Sequence, residues 1–388
     1  MDARLRGILN RLQKLKEIAT LGNLVAESEE TRYKPDIDSK GFTYNKWTLL
    51  KLMFLQLYTP LYVSIIRHRF AEFNYIDLFA GSGLNRLEDT NVLVAGSPLI
   101  APSFAPAPFS RAYLVDRDPD KIALLKKRIE YLKELSMDER NREVIFSDLT
   151  STDFWSVARD ANEVVGEIFK EIEQRHKELL KKRGRGCHNL IFIDPFGLDF
   201  RREALERILN SNVRSDVIIL FNSYTAGMNA YNAINFGYSA KRLDEHLGEE
   251  WLDFVKQRAR EMGKKMEEMS RNELSATLSQ YYVKILCEKD RVAEVVRLPL
   301  RLESQQYDLI FTCRRTKTGN PFLAGVRYIK DLLESTDYAL VDALKEYVVT
   351  GRLPGMLRYI IRDPEKALER YKTARRYGIL KSQEHSSL

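Results

Sequence analysis

The stretch YIDLFAGSG at residues 75–83 decides the fold of this 388-residue chain. Its apolar beginning predicts a buried β-strand. Gly81 and Gly83 predict a sharp turn, because a residue without a Cβ reaches backbone conformations that other residues avoid. Asp77 places a carboxylate at the carboxyl end of the strand, and Phe79 places an aromatic ring just before the turn. Ligands of open α/β sheets bind at that edge, so the stretch predicts a nucleotide-cofactor pocket.

The spacing of the glycines distinguishes between cofactors. A dinucleotide-binding G-x-G-x-x-G turn needs a third small residue where this chain has Arg86, and a bulky side chain there hinders helix packing. The D-x-F-x-G-x-G pattern instead resembles motif I of the class I S-adenosylmethionine-dependent methyltransferases. That resemblance implies S-adenosylmethionine as the cofactor, held near Asp77, Phe79, Gly81 and Gly83.

Two further segments are predicted to be strands that end in an acid. Residues 111–116 (RAYLVD) end at Asp116, and the resemblance implies that this carboxylate accepts hydrogen bonds from both ribose hydroxyls of the cofactor. Residues 143–148 (EVIFSD) end at Asp148, where the resemblance places the residue that meets the adenine. Both acids are therefore candidate cofactor ligands, beside those of the glycine turn.

The fourth predicted strand begins at residue 188 and closes on Asp194-Pro195-Phe196-Gly197. Its continuous apolar run is typical of a strand that is buried on both faces. The closing residues resemble the D-P-P-Y motif of amino-methyltransferases, in which the acid and a backbone carbonyl hold the target amine and an aromatic ring stacks on a flipped base. The resemblance makes Asp194, Pro195 and Phe196 the candidate catalytic residues, with Asp194 also at the cofactor. Phe196 replaces the second proline and Gly197 the aromatic residue of that motif, so transfer to an exocyclic base nitrogen stays open.

Each of these acids also has a structural interpretation. Asp at the end of a strand often caps the helix that follows, because its carboxylate accepts hydrogen bonds from free N–H groups of the first turn. Four such acids in the expected order, the first inside a glycine turn, favour ligand binding over capping alone. We therefore predict an α/β fold with a Rossmann-like class I methyltransferase sheet.

A narrower resemblance is to the three-Cys-motif partner proteins, over about residues 40–330. It rests on a predicted helix at residues 46–57, before the first strand, and on four sequence blocks. These are YIDLFAGSG at residues 75–83, GSP at residues 96–98, LVDRDP at residues 114–119 and FIDPFG at residues 192–197. Ser82 stands where these relatives commonly have proline. The resemblance implies a methyltransferase-like domain that acts with a separate protein carrying a three-cysteine motif.

Three regions are predicted along the chain: a helical amino-terminal segment (1–70), the methyltransferase-like domain (71–330) and a basic helical carboxyl-terminal module (331–388). Helices are predicted at residues 4–27, 46–70, 161–182, 241–262 and 272–288, and a closing antiparallel strand pair at residues 292–302 and 307–313. The long connection 84–110 is predicted to begin with a short helix beside the cofactor, with Gly96 and Ser97 as its turn and cap. A crossover without any ligand contact is the alternative.

Composition narrows the class of protein. An apolar content of 44% supports a sizeable core. The most apolar stretch, residues 47–66, is interrupted by Lys51, Gln56 and Pro60, which indicates a buried helix and not a membrane span. The charged amino terminus lacks the pattern of a signal peptide, so we expect a cytoplasmic protein without membrane contact.

The cysteine and histidine residues give no support for a metal site. Cys187, Cys287 and Cys313 are far apart and form no C-x-x-C pair. The five histidines show no ligand spacing, so a histidine-based triad also lacks support.

Positive charge is concentrated at the carboxyl end. The whole chain carries a formal charge of +7, and residues 351–388 hold nine Lys or Arg against four Asp or Glu. Basic side chains interleave there with Tyr359, Tyr371 and Tyr377, which suits a surface that neutralises phosphates and stacks on bases. The candidate nucleic-acid-binding residues are Arg358, Arg362, Arg370, Lys372, Arg375 and Arg376. The alternative is a solvated amphipathic helix pair.

These observations lead to one main hypothesis, an S-adenosylmethionine-dependent methyltransferase that acts on nucleic acid, with RNA slightly favoured over DNA. Asp194 would orient or deprotonate the nucleophile. A rival is a non-catalytic module of a defence or repair system that binds nucleic acid and recruits the three-cysteine partner. A small-molecule methyltransferase comes third, because the basic tail argues against it.

Residues 222–238 carry aromatic and amide side chains that either face a base or pack against the preceding helix.

Overall fold

The computed structural model describes residues 3–27, 47–86, 92–288, 290–297, 307–316, 321–334, 346–347 and 350. Its strands are β1 (Glu72–Asp77), β2 (Leu84–Arg86), β3 (Leu93–Ala95), β4 (Arg111–Asp116), β5 (Asp153–Ala158), β6 (Cys187–Ile193), β7 (Arg214–Phe221), β8 (Arg291–Arg297) and β9 (Asp308–Arg314). Its helices are α1 (Ala3–Ala26), α2 (Trp47–Ile66), α3 (Ser97–Ser103), α4 (Pro119–Met137), α5 (Ala161–Arg183), α6 (Arg202–Asn210), α7 (Ser223–Phe236), α8 (Lys241–Leu247), α9 (Trp251–Glu261), α10 (Arg271–Leu286) and α11 (Pro321–Glu334).

Seven of the strands form one sheet in the order β5-β4-β1-β6-β7-β9-β8. The first five strands in this order run parallel, and β9 runs antiparallel to both β7 and β8. This combination of strand order and directions is the predicted class I methyltransferase sheet, including its closing antiparallel pair. Strands β2 and β3 form a separate two-stranded ribbon.

Alternation along the strands divides the apolar side chains between two cores. Leu190 and Phe192 of β6 face a core shared with α1 to α4 and α11, whereas Ile191 and Ile193 face a core shared with α5 to α10. Successive side chains of a strand point to opposite faces, so a continuous apolar run fits a strand covered on both sides. The result is a sheet between two layers of helices.

The amino-terminal helices belong to the first of these cores. Along α1, Gly22 lies against β3, where a Cβ would come within 2.7 Å of the Val94 and Ala95 backbone, so only glycine permits this approach. Within the described residues one helical stretch, Thr48–Ile66 of α2, is long and apolar enough to cross a membrane, and 72% of it is buried inside the protein. Its packing is that of a core helix.

Capping residues define where several helices begin. The side chains of Asp118, Asp160, Asn222 and Ser270 accept hydrogen bonds from backbone N–H groups at the starts of α4, α5, α7 and α10. Three of these helices directly follow strands of the parallel sheet. The caps Asp118, Asp160 and Asn222 therefore fix the turns that leave the carboxyl edge.

The prediction for the third strand was wrong. Residues 143–148 form a loop, and the strand is β5, which pairs in parallel with β4. Helix α4 carries the chain back to the amino edge, where the Phe146 N–H donates to Ser103 O (2.7 Å) and the Asp153 N–H donates to Ser110 O (3.3 Å). The loop lies at that edge, and only residues after it run along the sheet.

The predicted helices are confirmed, except that one of them is divided into two. The segment predicted as a single helix over residues 241–262 consists of α8 and α9, because Gly248 adopts a positive φ of 81° and interrupts the helix. The predicted short helix is present as α3, but the connection 84–110 begins with the β2–β3 ribbon, and Gly96 instead of Ser97 is the N-cap of the helix. The basic carboxyl-terminal module lies outside the described residues, apart from short stretches at its beginning.

Candidate cofactor and catalytic site

The candidate site lies at the carboxyl edge of the sheet, between β1 and β6. The chain leaves β1 toward β4 on one side and returns to β6 on the other, so the strand order reverses at this point. Open α/β sheets bind ligands in the crevice at such a reversal. Asp77 ends β1 there and Asp194 follows β6, and the two carboxylates are close enough to interact electrostatically.

Asp77 is completely buried beneath the glycine turn. Its carboxylate accepts hydrogen bonds from the Tyr75 hydroxyl (2.9 Å) and the Phe79 N–H (3.2 Å), and the Ser97 side chain also bonds to it. Burial raises the pKa of Asp77 to about 7, against the opposing effect of these hydrogen bonds. Asp77 therefore holds the turn to β1 and to the start of α3, and Phe79 is half-buried beside Phe200.

Both glycines of the turn have positive φ values, 62° at Gly81 and 85° at Gly83. The Gly81 N–H donates to Asp116 Oδ2 (3.0 Å), which joins the turn to the end of β4. A Cβ on Gly83 would lie 2.9 Å from the Leu125 side chain and 3.2 Å from that of Leu99. The conformation and the close packing both require glycine at residue 83.

Asp116 also accepts from the Asp118 N–H (2.9 Å) through its other oxygen. Its side chain is half-buried, and a carboxylate has about four acceptor positions, so acceptor capacity remains for the hydroxyls of a ligand. The predicted ribose-binding acid thus lies beside the glycine turn, directly bonded to it.

Arg128 supports the turn from α4 and was not predicted. Its fully buried guanidinium donates from Nη1 to Ser82 O (2.6 Å) and to Ser82 Oγ (2.5 Å). The signal in the sequence is its position: Arg128 occupies the apolar face of α4, between Leu125 and Leu132. A charge at a core position of a helix indicates a specific partner.

Lys51 of α2 forms an ion pair with Asp194 and is the main residue of the site that the sequence analysis missed. The exposed fraction of the Lys51 side chain is 8% and that of Asp194 is 18%. The signal in the sequence is a lysine inside the otherwise apolar run of α2. The contact joins the amino-terminal helices to the predicted catalytic acid.

The residues after Asp194 turn sharply at the same edge. Pro195 is buried, Gly197 has a φ of 67°, and the Phe196 ring between them is 72% exposed. A ring exposed at this edge is accessible to a ligand. The aromatic side chain available beside Asp194 is therefore Phe196.

Tyr307 and Asn222 complete the edge next to Asp194. Tyr307, just before β9, is hydrogen-bonded to the Asn222 side chain, and burial together with the Asp194 charge raises the pKa of Tyr307. In the rest of the predicted substrate segment, the Asn229 and Asn235 amides donate to carbonyl oxygens of their own helix, α7. Asn222 is thus an amide of this segment that lies at the site.

Asp148 is not part of this arrangement. It is exposed in the loop before β5 and accepts hydrogen bonds from the Thr150 N–H (2.9 Å) and hydroxyl (2.7 Å). Its prediction as the adenine ligand depended on a strand that the structure places elsewhere. The predicted nucleic-acid-binding arginines and lysine, residues 358–376, lie outside the described residues.

Among the residues that the structure describes, no group of three or more His, Cys, Asp or Glu side chains is arranged to hold a metal ion. Cys187 and Cys313 are buried and Cys287 is half-buried, all as free thiols. Burial raises the pKa of the Cys187 thiol to about 12, so it is an unreactive core group.

Comparison with known proteins gives distant similarities to solved structures. No protein-family model matches the sequence, and no curated protein matches it. Protein LPL1258 of Legionella pneumophila, family DUF519, is 12% identical over 73% of this chain and 92% of its own, with a TM-score of 0.39. Trm1 of Pyrococcus horikoshii, solved with S-adenosyl-L-methionine, is 14% identical over 73% of this chain and 58% of its own, with a TM-score of 0.37. An O-methyltransferase of Bacillus cereus, solved with SAH, is 11% identical over 79% of this chain and 91% of its own, with a TM-score of 0.34.

Proposed function

We propose that this protein is an S-adenosylmethionine-dependent methyltransferase that acts on nucleic acid. The observation that carries the proposal is the hydrogen bond between Gly81 and Asp116 at the strand reversal, with Asp194 across the same crevice. In this proposal the glycine turn is the backbone that the cofactor approaches closely, Asp116 is the ribose-binding acid and Asp194 is the catalytic acid. A methyltransferase sheet supplies each of them from a different strand.

The residues of the crevice fit this cofactor. The turn at residues 80–83 allows a ligand to approach the backbone, and Asp116 keeps acceptor capacity for two ribose hydroxyls. We expect the adenine end beside the end of β5, near Ala158 and Arg159, in place of Asp148. When bound, S-adenosylmethionine supplies an electrophilic methyl group.

Asp194 acts in this proposal mainly by orienting the nucleophile. One of its oxygens, Oδ2, holds Lys51, which leaves Oδ1 to accept a hydrogen bond from an N–H or O–H of the substrate. The Lys51 ammonium fixes the position of the carboxylate through this ion pair. In-line methyl transfer depends chiefly on such alignment. Phe196 would stack on the target base, since its ring is exposed.

The substrate class rests on the basic carboxyl-terminal module, with its arginines interleaved with tyrosines. RNA remains slightly favoured over DNA. A three-cysteine-motif protein as partner, a cytoplasmic location and the three-region division of the chain also remain parts of the proposal.

The test is transfer of a tritiated methyl group from S-adenosylmethionine to total RNA and to genomic DNA, with the full chain. We expect label in RNA for the wild type and a loss of about 100-fold or more in Asp194→Ala, as for removal of a positioning group. Asp253→Asn, which removes an exposed carboxylate on α9, is the matched control. Equal transfer by Asp194→Ala and wild type would remove the assigned role of Asp194.

The Lys51 ion pair also supports a second function, a non-catalytic module that binds nucleic acid and recruits a partner. A carboxylate held by a buried lysine is equally suited to fastening α2 to the sheet. Binding of nucleic acid without any binding of S-adenosylmethionine would favour this module over the enzyme.

A further inference from the structure

A second candidate site lies at the amino edge of the sheet, opposite the crevice. A cavity of about 250 Å³ is lined there by the first residues of β7, the end of β9 and the residues after α2. Strand β6 has seven residues and separates the two edges by about 20 Å, at roughly 3.3 Å per residue. The cavity is therefore distinct from the crevice between Asp77 and Asp194.

Three arginines from different elements line this cavity: Arg69 after α2, Arg214 at the start of β7 and Arg314 at the end of β9. Arg314 donates to Ser211 O and so is held by the backbone. For Arg69 and Arg214, the described part of the chain offers no carboxylate within ion-pair distance. Guanidinium groups that have no ion-pair partner among the described residues favour an anionic ligand, which they bind through paired N–H groups.

The inner end of the cavity contains two buried polar side chains, His188 and Asp216. Tyr62 bonds to His188 Nδ1 (3.1 Å), and Tyr58 donates to Asp216 Oδ2 (2.7 Å). His188 Nε2 and Asp216 Oδ1 are 4.0 Å apart, too far for a direct hydrogen bond. A hydroxyl group of a ligand placed between them would bond to both.

The remaining wall is mostly apolar, apart from Ser215 and Thr316, and includes Phe70, which packs edge-on against the His188 ring (centroids 4.8 Å apart). Pockets for drug-sized ligands measure about 300–1,000 Å³, so a cavity of about 250 Å³ limits the occupant to a small molecule. A phosphate with one sugar and one pyrimidine ring is about this size, and it matches the arginines, the polar inner end and the aromatic wall.

We propose that this cavity binds a phosphate-bearing ligand of about the size of one nucleotide, with its phosphate between Arg69 and Arg214. The same chemistry comes from two sources, a free mononucleotide or the 5′-phosphorylated end of a nucleic acid. The proposal does not depend on methyltransferase activity, because none of the lining residues belongs to the cofactor crevice.

The test is a calorimetric titration of the full-length protein with uridine monophosphate and with a 5′-phosphorylated hexauridylate. Uridine and the 5′-hydroxyl hexauridylate are the matched probes without the terminal phosphate, and these probes lack the adenosine that the crevice would bind. We expect Arg69→Gln and Arg214→Gln each to weaken binding of the phosphorylated probe by about 10-fold or more, as for loss of a charged hydrogen bond. Arg260→Gln, which removes an exposed arginine on α9, is expected to bind as the wild type does.

The two sources give different results. Phosphate-dependent binding of the monophosphate alone identifies a free nucleotide as the ligand, and phosphate-dependent binding of the hexauridylate identifies a nucleic-acid end. The proposal is overturned if neither phosphorylated probe binds the wild type, or if binding is the same in Arg69→Gln, Arg214→Gln and Arg260→Gln. Both replaced arginines are exposed, so the variants are expected to fold normally.

Discussion

The ion pair between Lys51 and Asp194 predicts a large coupling in stability between two residues 143 positions apart in sequence. Both side chains are mostly buried, at 8% and 18% exposure. Removing one partner of a buried pair costs about 3–5 kcal/mol, because the other charge is left uncompensated. Because Asp194 keeps some solvent contact, we expect the lower end, about 3 kcal/mol, for Lys51→Met and for Asp194→Asn.

The double variant should be much less destabilised than the sum of the single variants. Lys51→Met with Asp194→Asn removes both charges and leaves groups of similar volume, so we expect a cost of about 1–2 kcal/mol and a coupling energy of several kcal/mol. The assay is urea unfolding of all four proteins at pH 7, followed by circular dichroism. Lys133→Met is the matched control: its partner Glu130 is 70% exposed, and loss of such a surface pair costs about 0–1 kcal/mol.

A coupling energy below about 0.5 kcal/mol would refute the reasoning, because residues that share a buried ion pair do not act additively. The same result would remove Lys51 from the proposed site. It would also remove the explanation for a lysine inside an otherwise apolar helix.

Three further predictions concern the glycine turn and the buried acids. Gly83→Ala should destabilise the protein by about 2–4 kcal/mol in urea unfolding, from the positive φ and the contact with Leu125, and an unchanged midpoint would contradict this. Burial holds the pKa of Asp77 at about 7, above its unfolded value of about 3.9, so the folded state retains a proton that the unfolded state has lost. The contribution of Asp77 to the free energy of unfolding is therefore fully present below pH 4 and falls by up to about 4 kcal/mol as the pH rises to 7. Asp77→Asn should flatten that fall in a series of urea unfolding curves across this pH range. Parallel pH dependences for the two proteins would show that the sign or the assigned group is wrong. Tyr58→Phe should cost about 1.5–3 kcal/mol because it removes the donor to buried Asp216, and a loss below about 0.5 kcal/mol would argue against that hydrogen bond.

The sequence predicted the sheet because its signals are local. The strands that lead to Asp77, Asp116 and Asp194 each combine an apolar run with turn residues within a few positions after it, and these features do not depend on what packs around them. The same reasoning failed at Asp148. Residues 143–148 and 153–158 both have strand-like composition, and the choice between them depends on where α4 delivers the chain.

Partners of buried charges could not be predicted from the sequence. Lys51 and Asp194 meet only after the sheet has formed and α2 has packed on it, and Arg128 reaches Ser82 across 46 residues. The sequence marks such residues as charges at apolar positions, as at Lys51 and Arg128, without indicating what they contact. The cavity lined by Arg69, Arg214 and Arg314 could not be predicted for the same reason, since its residues meet only when β7, β9 and α2 have packed together.

The most direct test of the central claim is calorimetric titration of S-adenosylmethionine and S-adenosylhomocysteine into the full chain. Asp116→Ala removes the proposed ribose ligand, and Asp118→Ala removes an equal charge two residues away at the cap of α4. We expect the wild type and Asp118→Ala to bind, and Asp116→Ala to bind at least about 10-fold more weakly, through loss of charged hydrogen bonds. No binding by the wild type, alone or with nucleic acid present, would contradict the cofactor pocket and leave this sheet as a scaffold for recruitment.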